Sequence, residues 1–102
     1  MRRRLSDDVR KSTIVDAALT LAERDGFTGF TRDAVATAAG CSMGLVNHHF
    51  GTMNQLRRDV MRAAIRQGVI AVVAQGLAAR DPQALKAPQE LKDRAARSLT
   101  GE

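Results

Sequence analysis

Apolar residues recur every three or four positions through most of this chain, which is the spacing of amphipathic helices, and no β-type alternation is present. Glycine and proline residues divide the pattern into separate segments. The predicted fold class is therefore all-α. The residues expected to face the core of the first three helices are Ile14, Ala17, Ala18, Leu21, Ala22, Val35, Val46 and Phe50.

The stretch TRDAVATAAGCSMGLVNHHF, residues 31–50, predicts two short helices joined by a tight turn. Thr31 can cap the first helix and Ser42 the second, because each hydroxyl can accept from free backbone N–H groups of the first turn. Gly40 is expected to end the first helix, since glycine adopts the left-handed conformation without steric cost. The inward positions of the first helix are Val35, Ala38 and Ala39. Such small residues let two helices cross closely, as in a helix-turn-helix whose second helix enters the DNA major groove.

The second half of the chain predicts a long helix followed by a polar tail. Residues 52–79 have near-helical spacing throughout, and Thr52 and Gln55 stand in capping-box positions. From residue 68 to 79 the sequence GVIAVVAQGLAA is apolar nearly all round, so either the tail or another chain must cover it. Asp81-Pro82 predicts a break. In the tail, residues 81–102, a short helix is expected on Leu91, Ala95 and Leu99.

Composition narrows the class of partner. The formal net charge is +5, which suits an anionic partner such as nucleic acid. Three Phe and no Tyr or Trp argue against a module that stacks single-stranded bases on aromatic platforms. The single cysteine, Cys41, excludes an internal disulfide and fits a reducing cytoplasm. No apolar run is long enough for a bilayer, so a cytoplasmic, nucleoid-associated protein without a membrane partner is expected.

No catalytic, metal or cofactor site is predicted. His48 and His49 are adjacent, so their side chains diverge by about 100° on a helix, and no third ligand lies nearby in sequence. Cys41 in the turn is interpreted as a packing residue. No nucleophile and base, metal-ligand set or phosphate loop is present, so the protein is not expected to be an enzyme or to need a cofactor.

Helical geometry selects the residues that reach DNA. With Val46 and Phe50 facing the core, the second helix, at about 42–49, turns its other side outward. Asn47 can donate to and accept from an adenine edge, and Gly44 allows close approach to a base or a thymine methyl group. The predicted base contacts are Met43, Gly44, Leu45 and Asn47. Ser42, His48, His49 and Thr52 are better suited to phosphate oxygens.

The order of these pieces resembles the tetracycline-repressor (TetR) family of bacterial regulators. The matching features are A-A-x-x-L, G-F, T-x-x-x-V-A, A-G-C-S-x-G and H-H-F-G, which follow one another over about the first sixty residues. The resemblance implies a homodimer in which each protomer lays its second short helix into one major groove. It also implies phosphate contacts from His49 and, beside Thr31, a backbone or flanking-base contact from Arg32. Two positions depart from the family pattern, since Asn47 stands where Tyr is usual and Met53 where a phosphate-binding Lys is usual.

The predicted organisation has four parts: a basic flexible arm at 1–8, a helix-turn-helix unit at 9–56, the long helix at 52–79 and the tail at 81–102. Arg2, Arg3 and Arg4 of the arm are either minor-groove readers or a solvated tail. A single unit makes few contacts, so a symmetric dimer is expected. Its predicted interface, on the far half of the long helix, comprises Val69, Ile70, Val72, Val73 and Leu77.

The function expected from these features is sequence-specific regulation of transcription, as a repressor that occupies a palindromic operator in double-stranded DNA. No room exists after residue 80 for the effector domain that the resemblance implies, so no small-molecule effector is expected. The polar ending, residues 98–102, favours a complete, naturally short chain. The alternatives are an excised DNA-binding fragment, an antirepressor or heterodimer partner of a longer relative, and a nucleoid binder with little sequence preference.

Overall fold

The computed structural model describes residues 6–101 of the chain, which form a sequence of α-helices. The predicted all-α class is confirmed. The helices are α1 (Asp7–Asp25), α2 (Arg32–Ala39), α3 (Met43–His49), α4 (Met53–Gln67), α5 (Ile70–Ala78), α6 (Pro82–Leu85) and α7 (Gln89–Thr100).

Side-chain caps fix the starts of the first four helices. The Ser6 hydroxyl accepts from the Val9 N–H, so α1 begins at Asp7 and residues 7 and 8 do not belong to the predicted arm. Arg2, Arg3 and Arg4 lie outside the described residues. The predicted caps of α2 and α3 are present, with Oγ–N distances of 3.1 Å from Thr31 to Ala34 and 3.0 Å from Ser42 to Leu45. At α4, Thr52 and Gln55 form both hydrogen bonds of the capping box.

The helix-turn-helix unit is built around α1, which packs against α2 and α4 while α2 packs against α3. Most of the predicted core residues are buried, with Ala17 only half-buried. In α2 the buried face runs through Val35 and Ala36, and Ala38 is exposed instead of inward. Phe27 and Phe30 of the α1–α2 connection are also buried and belong to the same core cluster.

The predicted helix at 52–79 is divided in two at Gly68. This residue has φ 68° and ψ 35°, a left-handed conformation that ends α4, and its N–H donates to the carbonyl of Ile65. The chain turns at Val69 and restarts as α5 at Ile70. A break at this point lets α5 fold back beside α4, which a single straight helix could not do.

The tail covers the apolar segment, as one of the two alternatives required. α5 packs against α7 along its length and also against α4 and α6. Val72 and Val73 are fully buried within the chain, and Ala95 of α7 is buried beside them in the same core cluster. The predicted dimer interface is therefore corrected, because neither Val72 nor Val73 is available to a second chain. Val69, Ile70 and Leu77 stay partly exposed.

Two features of α5 attach it to the rest of the molecule. Its Gln75 side chain accepts a hydrogen bond at Oε1 from the backbone N–H of Phe27, just after α1. Gly76 lies where a Cβ atom would overlap the Met61 side chain of α4 and lie 2.9 Å from the Ala84 Cβ of α6. An alanine here would force Met61 and α6 to shift, so the close packing of α4, α5 and α6 favours glycine. Among the described residues no helix is both long and apolar enough to cross a membrane.

Candidate nucleic-acid interface

The outward face of α3 is the centre of the candidate interface. Val46 is fully buried and Phe50, at the end of the helix, is almost fully buried. The helix therefore exposes the opposite side, which carries Met43, Gly44, Asn47 and His48. Met43 is 42% exposed, so its side chain is available for contact on this face. A cap at Ser42 and a buried anchor at Val46 hold this face in a fixed orientation over the core.

Leu45 occupies a different position from the other predicted base contacts. It is half-buried and packs against the core. Together with Ile14 and Cys41 it lines a cavity of about 120 Å³ between α1 and the α2–α3 turn. This packing role leaves Met43, Gly44 and Asn47 as the predicted base contacts that lie on the exposed face.

A hydrogen-bonded pair joins α2 to α3. Arg32, the first residue of α2, donates from Nη1 to the Asn47 Oδ1 atom at 2.7 Å. Its Nη2 atom lies 3.4 Å from the carbonyl oxygen of Gly51, just past the end of α3. Arg32 was predicted to contact phosphate and Asn47 to contact a base, and the structure brings the two together on the surface.

The two histidines at the end of α3 differ in exposure. The His48 side chain is exposed, whereas the His49 side chain is half-buried between His48 and Phe50, with ring centroids 4.9 Å and 6.5 Å away. The Nε2 atom of His49 is buried and has no hydrogen-bond partner within residues 6–101. An unpaired buried nitrogen is unfavourable.

Three of the predicted phosphate contacts are helix caps. Thr31, Ser42 and Thr52 each use the hydroxyl oxygen to accept from a backbone N–H at the start of α2, α3 or α4. The hydroxyl hydrogen of each is still free to donate, and all three residues are exposed. Because the N-terminal end of a helix carries partial positive charge, each cap is chemically suited to a phosphate oxygen.

Sequence reasoning missed two cations of α1, one beside the α2–α3 turn and one beside the end of α3. Arg10 lines the cavity beside Gly40 and Cys41, next to the α2–α3 turn. The Lys11 ammonium lies 5.5 Å from the centre of the Phe50 ring at the end of α3. The signal was present in the sequence, because Arg10 stands one helical turn before the buried Ile14, on the side of α1 that packs toward α2 and α3.

A capped pair of short helices, with an exposed second helix of small, apolar and amide side chains, defines the helix-turn-helix class of DNA-binding domains. The sequence model described as "Bacterial regulatory proteins, tetR family" matches residues 14–60. That range covers α1 from Ile14 onward, α2, α3 and the first half of α4. This part of the chain is thus a TetR-family N-terminal helix-turn-helix domain.

Curated relatives carry the same domain. The HTH-type transcriptional regulator BetI of Vibrio atlanticus (strain LGP32) is 35% identical over 60 residues, which are 59% of this chain and 30% of the relative. BetI of Burkholderia ambifaria (strain MC40-6) is 34% identical over 77 residues, which are 74% of this chain and 40% of the relative. The chain thus spans well under half the length of these relatives.

Proposed function

We propose that this protein is a transcriptional regulator that binds a specific sequence of double-stranded DNA through α3 and represses transcription by occupying its operator. The observation that carries the proposal is the exposed face of α3, with Met43, Gly44 and Asn47 supported by a buried anchor at Val46. The major groove admits an α-helix, and base edges there differ in their donors and acceptors. The TetR-type match of residues 14–60 and the names of the relatives support the same class.

Phosphate contacts would fix the orientation of this helix on the duplex. The capping hydroxyls of Thr31, Ser42 and Thr52 and the side chains of His48 and His49 supply these contacts in the proposal, with Arg10 and Lys11 as additional cations. Rotation of the His49 ring toward a phosphate oxygen would give its unpaired nitrogen a partner. Such contacts add affinity without adding sequence preference.

We infer further that the protein binds its operator as a two-fold dimer. One helix-turn-helix unit reads few base pairs, and two half-sites supply the contacts for tight specific binding. With Val72 and Val73 buried, the interface in this proposal uses the outer surface of α5 and α7. That surface includes the partly exposed Ile70 and Leu77, and Leu99 with 52% of its area exposed.

The test compares two substitutions on α3. Asn47→Ala should remove preference at one operator position, at a cost of about 1–3 kcal/mol, which is the range for a lost base contact. His49→Ala should weaken binding to all duplexes about equally. Fluorescence anisotropy with an operator duplex and a scrambled duplex measures both effects. Equal losses on both duplexes for Asn47→Ala would make Asn47 a backbone contact and contradict its role as a base reader.

A further inference from the structure

The hydrogen bond between Arg32 and Asn47 changes which base α3 can recognise. A separation of 2.7 Å between Nη1 and Oδ1 is at the short end for a charge-assisted hydrogen bond. The second contact of the guanidinium, to the Gly51 carbonyl, holds its plane against the end of α3. Asn47 is exposed on the face that the proposed function turns toward the base pairs.

Helix stability does not account for the presence of Arg32. The residue is the first of α2, at the helix end where the macrodipole disfavours a cation. Its bond to Asn47 lies at the surface, where such pairs contribute little to folding. We therefore look for a role of Arg32 in DNA recognition, on the surface that it shares with Asn47.

The pairing weakens one half of the chemistry by which asparagine reads adenine. A free asparagine accepts from the adenine N6 amino group through Oδ1 and donates to N7 through Nδ2. Here Oδ1 already accepts from Arg32, and a positive charge lies beside it. An approaching amino group, from adenine or cytosine, would be repelled by that charge. Oδ1 keeps a second lone pair, but the adjacent guanidinium charge disfavours a further donor there. The Asn47 Nδ2–H and the remaining guanidinium N–H groups are free, and these are donors.

We propose that Arg32 and Asn47 act as one donor pair that reads guanine through its N7 and O6 acceptors, in place of the adenine edge that asparagine alone would read. Guanine is the base that presents two adjacent acceptors in the major groove. The inference rests on the proposed function, because it requires α3 to lie in that groove. Arg32 is then a specificity-determining residue as well as a phosphate contact.

The experiment begins with selection of bound sequences from random duplex DNA by the wild-type chain and by Asn47→Ala. The position at which Asn47→Ala loses its preference is the position that Asn47 reads. Four duplexes that differ only there are then compared by competition binding. The wild type should prefer guanine to adenine by roughly tenfold or more. Arg32→Ala, which frees Oδ1, should favour adenine at the same position.

Two further variants control for charge and folding. Arg24→Ala removes one positive charge from the exposed end of α1, outside the surfaces assigned to DNA and to the dimer, and should keep the guanine preference. Arg32→Lys keeps the charge but cannot contact Asn47 and the Gly51 carbonyl together, so the preference should fall toward equality. This variant also provides the test if Arg32→Ala does not fold.

The outcomes separate this inference from the proposed function. Adenine preferred by the wild type at the position that Asn47 reads, or an unchanged guanine preference in Arg32→Ala, would overturn the donor pair and leave sequence-specific binding intact. A set of bound sequences that Asn47→Ala does not alter would also overturn it. Absence of any sequence preference in the wild type would remove the proposed function and the donor pair together.

Discussion

At the residue scale, a substitution at Gly44 should affect the stability of α3 and its approach to a base pair in opposite directions. A Cβ atom added at Gly44 would lie 3.7 Å from the Ser42 Oγ atom, an ordinary contact, so alanine fits in the folded chain. Gly44→Ala should then raise the free energy of unfolding by up to about 1 kcal/mol, because alanine favours a helix.

The same substitution should weaken DNA binding. The added methyl group would stand between the backbone of α3 and the bases, and we expect operator affinity to fall roughly tenfold, about 1.4 kcal/mol. Urea unfolding and anisotropy titration measure the two effects separately. An Ala variant that is more stable and binds as tightly as the wild type would mean that the backbone at Gly44 does not approach a base.

Sequence reasoning at this scale succeeded where the interaction is local. The caps at Thr31, Ser42 and Thr52 follow from residue type and a spacing of three positions, and all are present. The Arg32–Asn47 bond was missed because its partners are fifteen residues apart and meet only through the crossing of α2 and α3. The packing of Leu45 beside the cavity between α1 and the α2–α3 turn depends on the same crossing.

At the element scale, Gly68 tests whether α4 and α5 are separate helices. In a continuous helix, Gly68→Ala would stabilise the protein by about 0.8–1 kcal/mol. With φ at 68°, alanine is instead strained, and the free energy of unfolding should fall by about 1–2 kcal/mol. No atom lies within 4 Å of the added Cβ, so the change in the free energy of unfolding depends on backbone conformation and not on a steric clash.

Chemical denaturation measures whether Gly68→Ala raises or lowers the free energy of unfolding. Gly44→Ala is the matched control, because Gly44 lies inside a helix. A stabilised Gly68→Ala variant would restore the single helix that the sequence pattern predicts for residues 52–79. The apolar spacing alone could not locate the break. An isolated glycine is often tolerated inside a helix, and the N-cap residue of α5, Val69, supplies no side-chain cap that would mark a new helix start.

The bond from Phe27 to Gln75 ties α5 to the helix-turn-helix unit. Gln75→Leu removes the acceptor and leaves the partly buried Phe27 N–H unpaired, which should lower the free energy of unfolding by about 1–3 kcal/mol. Gln75→Glu keeps an acceptor oxygen at the same place and should lose less. Thermal unfolding of the three proteins provides the comparison, and equal stability of Gln75→Leu and the wild type would contradict a structural role for the bond.

At the scale of the whole molecule, burial distinguishes the core of the α5–α7 layer from its outer surface. Val72 is fully buried, so Val72→Glu should unfold this layer, at a cost of several kcal/mol for an unpaired buried carboxylate. Leu99→Glu lies on the exposed surface and should leave the fold intact while splitting the proposed dimer. Circular dichroism and light scattering distinguish the two results.

A folded Val72→Glu monomer would contradict the burial of this position by the chain itself and restore it to a subunit interface. Leu99→Glu with unchanged mass would exclude Leu99 from the interface. The sequence alone left both coverings of the apolar segment open, because periodicity identifies a buried face and not its partner. The sequence predicts a helix in the tail on Leu91, Ala95 and Leu99. That this helix covers α5 is known only from its packing in the folded chain.

The most direct test of sequence-specific recognition by α3 is the ratio of two dissociation constants at physiological salt. One is for a duplex obtained by selection from random DNA and the other is for a scrambled duplex of equal length. The selected duplex should bind at least about a thousandfold more tightly, with two symmetric half-sites in a footprint. A ratio near one, with binding that simply falls as salt rises, would contradict it and indicate binding to the phosphate backbone alone.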